Sequence, residues 1–403
     1  MMFDIYDKIS QIPGGTDAEF ELASAAQIYL EDLALTSLNN RDLAIETARG
    51  FNRLAHIRGN PSSGSLKQYK EAKVNLEASK KLLLPLLKSN SADIESRLEL
   101  SETYYLLTDI ALFGEHQVDV AESNIEKSIS LLLEGRSLGN NNTALHRALI
   151  SSQSMKSLVL ARNAKHDEAL AIALDVKKEN IDLAQANPND ADIKRQVAIG
   201  LNNLGRQLIN MEAHSEAVDT YSESLTIAQA LLNEDPQNEL YQRDVAYTYW
   251  RRAHGHSRLE NGELSLQDFN QAVDQMKKLV DLDTANKNNL SFYYVMKGER
   301  MLAYKHLGDY EAAELEGLEY ISNSQKFLQD NPEDTNTVRD IMIAYWNLVG
   351  LYNVWGEKTK MCNSLSQLYA HVETMKTQGV FSELDKENLA KEFDVTKAEC
   401  RLD

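Results

Sequence analysis

Asn187-Pro188-Asn189-Asp190 returns as Asp235-Pro236-Gln237-Asn238 and again as Asn331-Pro332-Glu333-Asp334. The intervening copy reads Asp283-Thr284-Ala285-Asn286, so each step is 48 residues. Proline disfavours the α conformation in the residue before it and so stops the preceding helix. The Asn/Asp column two residues on, which also contains Asn142 one period earlier, supplies an oxygen that accepts from the free N–H groups of the next helix. A stop followed by a start, at constant spacing, predicts one helical hairpin per period.

Other columns keep the step. Small residues recur at Ala169, Ala217, Ser265 and Ala313, with Met361 the exception. A turn position runs Ala164, Glu212, Glu260, Gly308, Gly356; arginine recurs at Arg147, Arg195, Arg243 and Arg339, with Ser291 as the gap. Within one period, Val197, Leu201, Leu204 and Leu208 make one apolar stripe at helical spacing, and Ala217, Tyr221, Leu225 and Leu232 the next. A hairpin cannot bury such a face alone, so neighbours must stack. Helix boundaries should therefore repeat every 48 residues from about Asn140 to Pro332. The earlier chain is less strict. Residues 93–136 read as another pair with about two extra residues near Glu115–Asp119, and residues 42–89 as a pair interrupted by Gly59-Asn60-Pro61 and Ser62-Ser63-Gly64.

Composition agrees with an array. The 403 residues include only 6 Pro and 18 Gly, and 43% are apolar, enough for a continuous core. The net charge of −19 disfavours phosphate binding through a general field, hence no nucleic acid. It leaves basic or amphipathic partners, or solubility alone, as its use. No stretch approaches the ~20 apolar residues of a membrane span, and the opening MMFDIYDKISQI lacks the basic and apolar regions of a secretory signal. Cys362 and Cys400 form no CxxC or zinc pattern. They are expected on consecutive antiparallel helices turning near Gly379, and two separate buried thiols are expected rather than a bridge.

The segment Leu204-Gly205, Glu212-Ala213-His214-Ser215-Glu216-Ala217, Tyr221 and Ser224-Leu225 resembles a tetratricopeptide (TPR) repeat, and Gly308-Asp309-Tyr310-Glu311-Ala312-Ala313 matches its turn and second helix. The common period of that family is ~34 residues; the extra residues here lengthen each helix by roughly two turns at ~1.5 Å per residue. The resemblance covers roughly residues 40–377. It implies an all-α fold, a right-handed α-solenoid of about seven hairpins with a terminal helix at either end. The expected organisation is a lead-in at 1–16, less regular repeats at 17–138, TPR-like repeats at 139–378 and a capping helix at 379–403. A second resemblance rests on Pro13-Gly14-Gly15-Thr16, Tyr29-Leu30-Glu31-Asp32-Leu33-Ala34, Ala48-Arg49-Gly50-Phe51-Asn52-Arg53-Leu54-Ala55 and Gly59-Asn60-Pro61. These look like the opening of the TPR region in certain bacterial membrane-anchored Ser/Thr protein kinases. That resemblance implies a sensor or docking portion on the periplasmic side; a free-standing scaffold would instead be cytoplasmic. Kinase machinery is missing: Asp268-Phe269-Asn270 lacks the glycine of Asp-Phe-Gly, and no Gly-rich phosphate loop occurs.

No residue pattern calls for catalysis, a cofactor or a metal: HExxH, GxSxG and the Walker loop are all missing. His254 and His256, two apart on a helix, point about 200° apart and cannot chelate one ion together. Acidic pairs such as Glu333-Asp334 sit where helices begin and read as caps. The arginine column reads as a tie between hairpins, through acids such as Asp235 or Asp244, ahead of a ligand site. Arg252 and Arg300 occupy the column of Leu204 and Leu348, which demands either a rotated helix or a buried ion pair.

In TPR arrays the first helix of each pair lines the concave wall. Carrying those positions over gives Ile199, Asn202, Arg206 and Asn210; then Tyr247, Trp250, His254 and Arg258; then Val295, Gly298 and Leu302; then Ile343, Trp346 and Gly350. Trp250 and Trp346 share a column with Gly298 between them, which makes either an aromatic-walled slot or a packing seam. Arg251, Arg252, His254, His256 and Arg258 add local positive charge. The Lys/Asn pattern of chaperone-tail TPR clamps is not reproduced. The expected function is binding of an extended peptide or protein, with Asn202, Arg206, Tyr247, Trp250, His254, Arg258 and Trp346 as the site. An enzyme with its active site in the groove is the competing class.

Overall fold

The computed structural model describes residues 14–37, 40–61, 66–138, 142–332 and 334–400. Residues 1–13, the Ser62-Ser63-Gly64 interruption, Asn140 and Glu333 lie outside the described residues. Among those described the chain is helical, with no strand. Helix α1 (Thr16–Ser37) precedes a first hairpin, α2 (Arg41–Gly59) with α3 (Tyr69–Ser89), and a second, α4 (Ile94–Asp109) with α5 (Val118–Ser137). The third to fifth pair α6 (Thr143–Arg162) with α7 (His166–Ala186), α8 (Ala191–Asn210) with α9 (His214–Glu234), and α10 (Glu239–Arg258) with α11 (Gly262–Leu282). The sixth has a broken first helix, α12 (Lys287–Glu299) and α13 (Met301–Leu307), with α14 (Tyr310–Asp330). The seventh pairs α15 (Thr335–Trp355) with α16 (Lys358–Thr377), and α17 (Glu383–Glu399) follows. The chain is a TPR-like α-solenoid.

First helices open at Thr143, Ala191, Glu239, Lys287 and Thr335, second helices at His166, His214, Gly262, Tyr310 and Lys358, each set 48 residues apart. The cap column works as expected. Asn142, Asp190, Asn238, Asn286 and Asp334 each accept from a backbone N–H two or three residues on, at 2.8–3.3 Å. The turn column is left-handed throughout: φ is 55° at Ala164, 60° at Glu212, 55° at Glu260, 76° at Gly308 and 83° at Gly356. At Ala164, Glu212 and Glu260 a side-chain-bearing residue adopts this conformation, which L side chains rarely do. The small column is fully buried between paired helices at Ala169, Ala217, Ser265 and Ala313, as the close approach of two helix backbones requires.

The register reaches further than the sequence pattern suggested. His116 (φ 54°) and fully buried Ala121 each lie one period before Ala164 and Ala169. The second hairpin carries one extra residue rather than two, since α4 and α5 open 24 residues apart where later pairs open 23 apart. A π-turn over Ile110–Gly114 absorbs it; a π-turn is how a helix accommodates a single insertion without losing direction. At the other end α17 opens 48 residues after α15, capped reciprocally by Ser382 and Asp385. It occupies the register position of a first helix.

Arg252 is neutralised by Asp268 through two bonds of 2.7 and 2.8 Å across its hairpin. One period on, Arg300 reaches Glu316. The ion-pair alternative holds in both hairpins, and the first helix of the sixth also breaks at Arg300. Gly298 lies against Tyr320, whose ring atoms a Cβ would meet at 2.3–2.5 Å. It is a close-packing position and opens no slot between Trp250 and Trp346.

Contacts between residues far apart in sequence show that the superhelix meets itself after one turn. The Thr16 N–H donates to Asp283 at 3.1 Å. Lys67, in the turn of the first hairpin, pairs with Asp334 at 2.7 Å where the seventh begins, and both side chains are largely buried. Thr335 donates to the Gly114 carbonyl at 3.1 Å. His166 and Glu212, in the next two turns, meet Glu387 and Lys391 of α17. The turn edge of the early hairpins thus carries the loop edge of the late ones, hairpin after hairpin.

Cys362 on α16 and Cys400 after α17 form a disulfide with Cα atoms 5.4 Å apart, against the expectation of two separate thiols. Position relative to the Gly379 turn does not by itself decide register, and Cys400 follows the end of α17. The bridge closes a loop of 38 residues and stabilises the end of the array by roughly 2–4 kcal/mol. Titration of the unfolded, unreduced chain should find no free thiol, and two per chain would refute the bridge.

Candidate functional site

Closing one superhelical turn encloses a lumen of about 650 Å³. Its wall comes almost wholly from first helices: Arg147, Ser151, Ser154 and Arg162 of α6; Arg195, Gln196, Ile199, Asn202, Asn203 and Arg206 of α8; Arg243, Tyr247, Trp250 and Arg251 of α10; Phe292 and Val295 of α12; Asn336 and Asp340 of α15. The 48-residue columns make this happen, because equal steps point equivalent positions at one axis. Tyr69, Asn180 and Met276 enter from second helices.

Four of the seven expected site residues, Asn202, Arg206, Tyr247 and Trp250, line this space together. His254 stands behind it, its Nε2 2.7 Å from Glu299 Oε2, the oxygen that also accepts from Trp250 Nε1 at 2.7 Å. His256 turns to a different carboxylate, Asp268, at 3.7 Å. Arg258 is exposed at the end of α10. Trp346 packs edge-on against Phe393 of α17, centroids 4.8 Å apart. The tryptophan column therefore faces the next first helix: Glu299 on α12 for Trp250, Phe393 on α17 for Trp346. Trp250 lines the lumen and Trp346 does not, so the aromatic slot does not form.

Two lining columns were missed, Asp192/Leu240/Asn288/Asn336 and Gln196/Asp244/Phe292/Asp340. They keep the period but share no chemistry, so a search by residue type passes over them; searching by position would have found them.

The lumen is basic inside an acidic protein. Six arginines and Lys67 line it against four carboxylates, Glu102, Asp192, Asp244 and Asp340. The arginine column divides. Arg195 pairs with Asp244 at 2.5 Å, Arg339 pairs with Asp385, and Arg147 lies 4.0 Å from Asp190. These are the inter-hairpin ties expected. Arg243 makes no ion pair among the described residues, and burial holds its pKa below the usual arginine value. Burial, with neighbouring Arg339, pushes Arg162 down to about 9.

Arg206 and Arg251 converge on one phenol. Arg251 donates to Tyr247 Oη at 2.9 and 2.7 Å and lies over the Trp250 and Tyr247 rings at 4.1 and 4.8 Å. Arg206 acts on the same tyrosine through its charge. Burial alone would raise the Tyr247 pKa, but the two guanidiniums outweigh it and hold it below 10. Burial and then Arg251 lower that of Arg206. Asn202 donates to Thr248 at 2.9 Å, leaving its carbonyl oxygen with no partner among the described residues.

Asp340 faces the lumen yet is enclosed by protein. Burial first, then Asp334 and Glu299, pushes it up to about 7, against Lys67 and Arg339. Between about pH 4 and about pH 7 the unfolded chain ionises Asp340 while the folded chain keeps it protonated, so this contribution to stability is lost as pH rises through that window. Asp340→Asn should melt above wild type at about pH 8 and level with it near pH 4. An advantage equal at both pH values would refute the assignment.

Among the described residues no group of three or more His, Cys, Asp or Glu is placed to hold a metal, and no helix is long and apolar enough to cross a membrane. No family model matches the sequence, and no curated protein matches it. Solved structures do match. The apo form of RapI aligns with a TM-score of 0.53 and 11% identity over 77% of this chain and 97% of its own. A Rap protein complexed with competence and sporulation factor aligns with 0.53 and 11% over 94% and 98%. An STAND protein with a tetratricopeptide repeat sensor, from Pyrococcus horikoshii, aligns at 0.45 with 14% identity, over 88% of this chain and 49% of its own, too distant to bear on the argument. At these identities the likeness is one of fold: the chain shares the helical-repeat architecture of the Rap structures.

Proposed function

We propose that this chain is a binding module rather than a catalyst, and that its lumen receives a segment of extended peptide. The observation that carries this reading is the lumen itself, where polar, aromatic and charged side chains from α6, α8, α10, α12 and α15 face one enclosed axis. Asn202, Arg206, Tyr247 and Trp250 form its recognition wall. Aromatic and arginine side chains in a desolvated pocket dominate binding energy, and the unsatisfied Asn202 carbonyl suits a peptide N–H. Support also comes from the fold: one Rap structure holds a partner, competence and sporulation factor.

The finer reading is that the module is the sensing or docking part of a signalling protein of the membrane-anchored Ser/Thr kinase type. Of the residues behind that resemblance, Phe51, Leu54 and Ala55 are in the core of the first hairpin and Asn52 donates to the Glu99 carbonyl, which fits a repeat there. The Cys362–Cys400 bridge adds a second support. Persistent disulfides belong to oxidising compartments, as the extracytoplasmic placement requires.

Ile199 is 39% exposed and projects into the lumen, so a larger side chain can fill the space without disturbing the core. The full chain, immobilised, should retain members of a random heptapeptide pool. Ile199→Trp should abolish retention while Leu174→Trp, at an exposed position on α7 away from the lining, leaves it unchanged. Equal retention by both variants would refute the lumen as the site.

A further inference from the structure

We infer that the lumen selects a carboxylate, presented by an extended peptide, and seats it against Arg206 and Arg251. This rests on the lumen being the peptide site and adds the chemical class of what it takes.

The argument starts from a charge imbalance. Arg251 donates to the Tyr247 oxygen, Arg206 lines the same wall and feels the Arg251 charge, and neither forms an ion pair among the described residues. Two like charges brought together in a desolvated space repel, and each has lost hydration. Glu299 is the carboxylate that acts on Arg251 from behind the wall, and both Trp250 and His254 already engage it. Of the lining carboxylates, Asp244 is committed to Arg195. The wall offsets the burial of Arg251 through Tyr247, Tyr221 and Glu299, but Arg206, lowered by burial and by Arg251, is left without a carboxylate partner among the described residues.

A guest carboxylate relieves the imbalance. Arginine presents a planar fork that matches carboxylate geometry, and such charge-assisted bonds are about twice as strong as neutral ones. Stacking on Trp250 and the bond to Tyr247 fix the Arg251 plane before the guest arrives, which cuts the ordering cost of binding. A cationic guest would face the same two charges at close range. The acidic exterior does not exclude an anion, because surface charge is screened beyond ~8 Å at physiological salt. The carboxylate has two possible sources, the peptide's C-terminus or an Asp or Glu side chain.

The probe is a set of four random heptapeptide pools, with Asp and Glu either included or replaced by Asn and Gln, each with a free or an amidated C-terminus. The full, disulfide-intact chain should retain at least one carboxylate-bearing pool about tenfold better than the neutral amidated pool, the worth of one charge-assisted hydrogen bond. Which pool is retained identifies the source. Arg206→Gln and Arg251→Gln should each erase the preference. If the neutral amidated pool is retained equally, or the preference survives both substitutions, the carboxylate inference fails while the lumen reading stands. Retention of no pool overturns both. Should either variant misfold, wild type decides: the preference must shrink between about 50 mM and about 500 mM NaCl, and a constant preference overturns the inference.

Discussion

Each hairpin carries an apolar face that only the next hairpin can cover, and it must be covered in the same way every time. That constraint explains the 48-residue step from Thr143 onward, the caps from Asn142 to Asp334, and the left-handed turn residues from His116 to Gly356. It also explains the π-turn at Ile110–Gly114, where one surplus residue is absorbed inside α4 so that α5 still opens in register. A constant step is a constant rotation, and a constant rotation curls the array. Here the curl closes within the chain: Lys67 meets Asp334, and Gly114 meets Thr335.

Closure decides what the inner surface can be. A first-helix face that would look into open solvent in a shallow arc looks instead across a lumen at other first helices. Arginines from α6, α8 and α10 face one another there: burial depresses Arg162, Arg206 and Arg243, while Asp244 holds Arg195 up and Tyr247 holds Arg251 up. Burying unpaired like charges costs stability, and a chain with 61 acidic residues had partners to offer them. It places most of those acids elsewhere. Local destabilisation of this kind is what a site for an anionic ligand requires.

Short-range features were legible from the sequence because each is written in one period and repeated. Hairpin number, helix starts and four of the lining residues followed from columns; at Arg252 and Arg300 the columns posed a choice between a rotated helix and an ion pair, which the structure resolves as ion pairs. Closure was not legible, since it sums small rotations over several hairpins and no single period contains it. The Trp250/Trp346 column was ambiguous for a related reason: whether a side chain faces the axis or the next helix depends on a turn of a few tens of degrees. Two-residue neighbours such as His254 and His256 were easier, because they must diverge. The Cys362–Cys400 bridge was not legible because α17 is held by partners distant in sequence, His166, Glu212 and Arg339.

The account stands on the array meeting itself after one turn, with the lumen as the consequence. Small-angle X-ray scattering from the full chain with its disulfide intact tests this most directly. The scattering should fit the closed structure as a single rigid shape, with a pair-distance distribution that falls smoothly to its maximum dimension. A profile requiring an open, elongated superhelix, with Lys67 and Asp334 far apart, would contradict it.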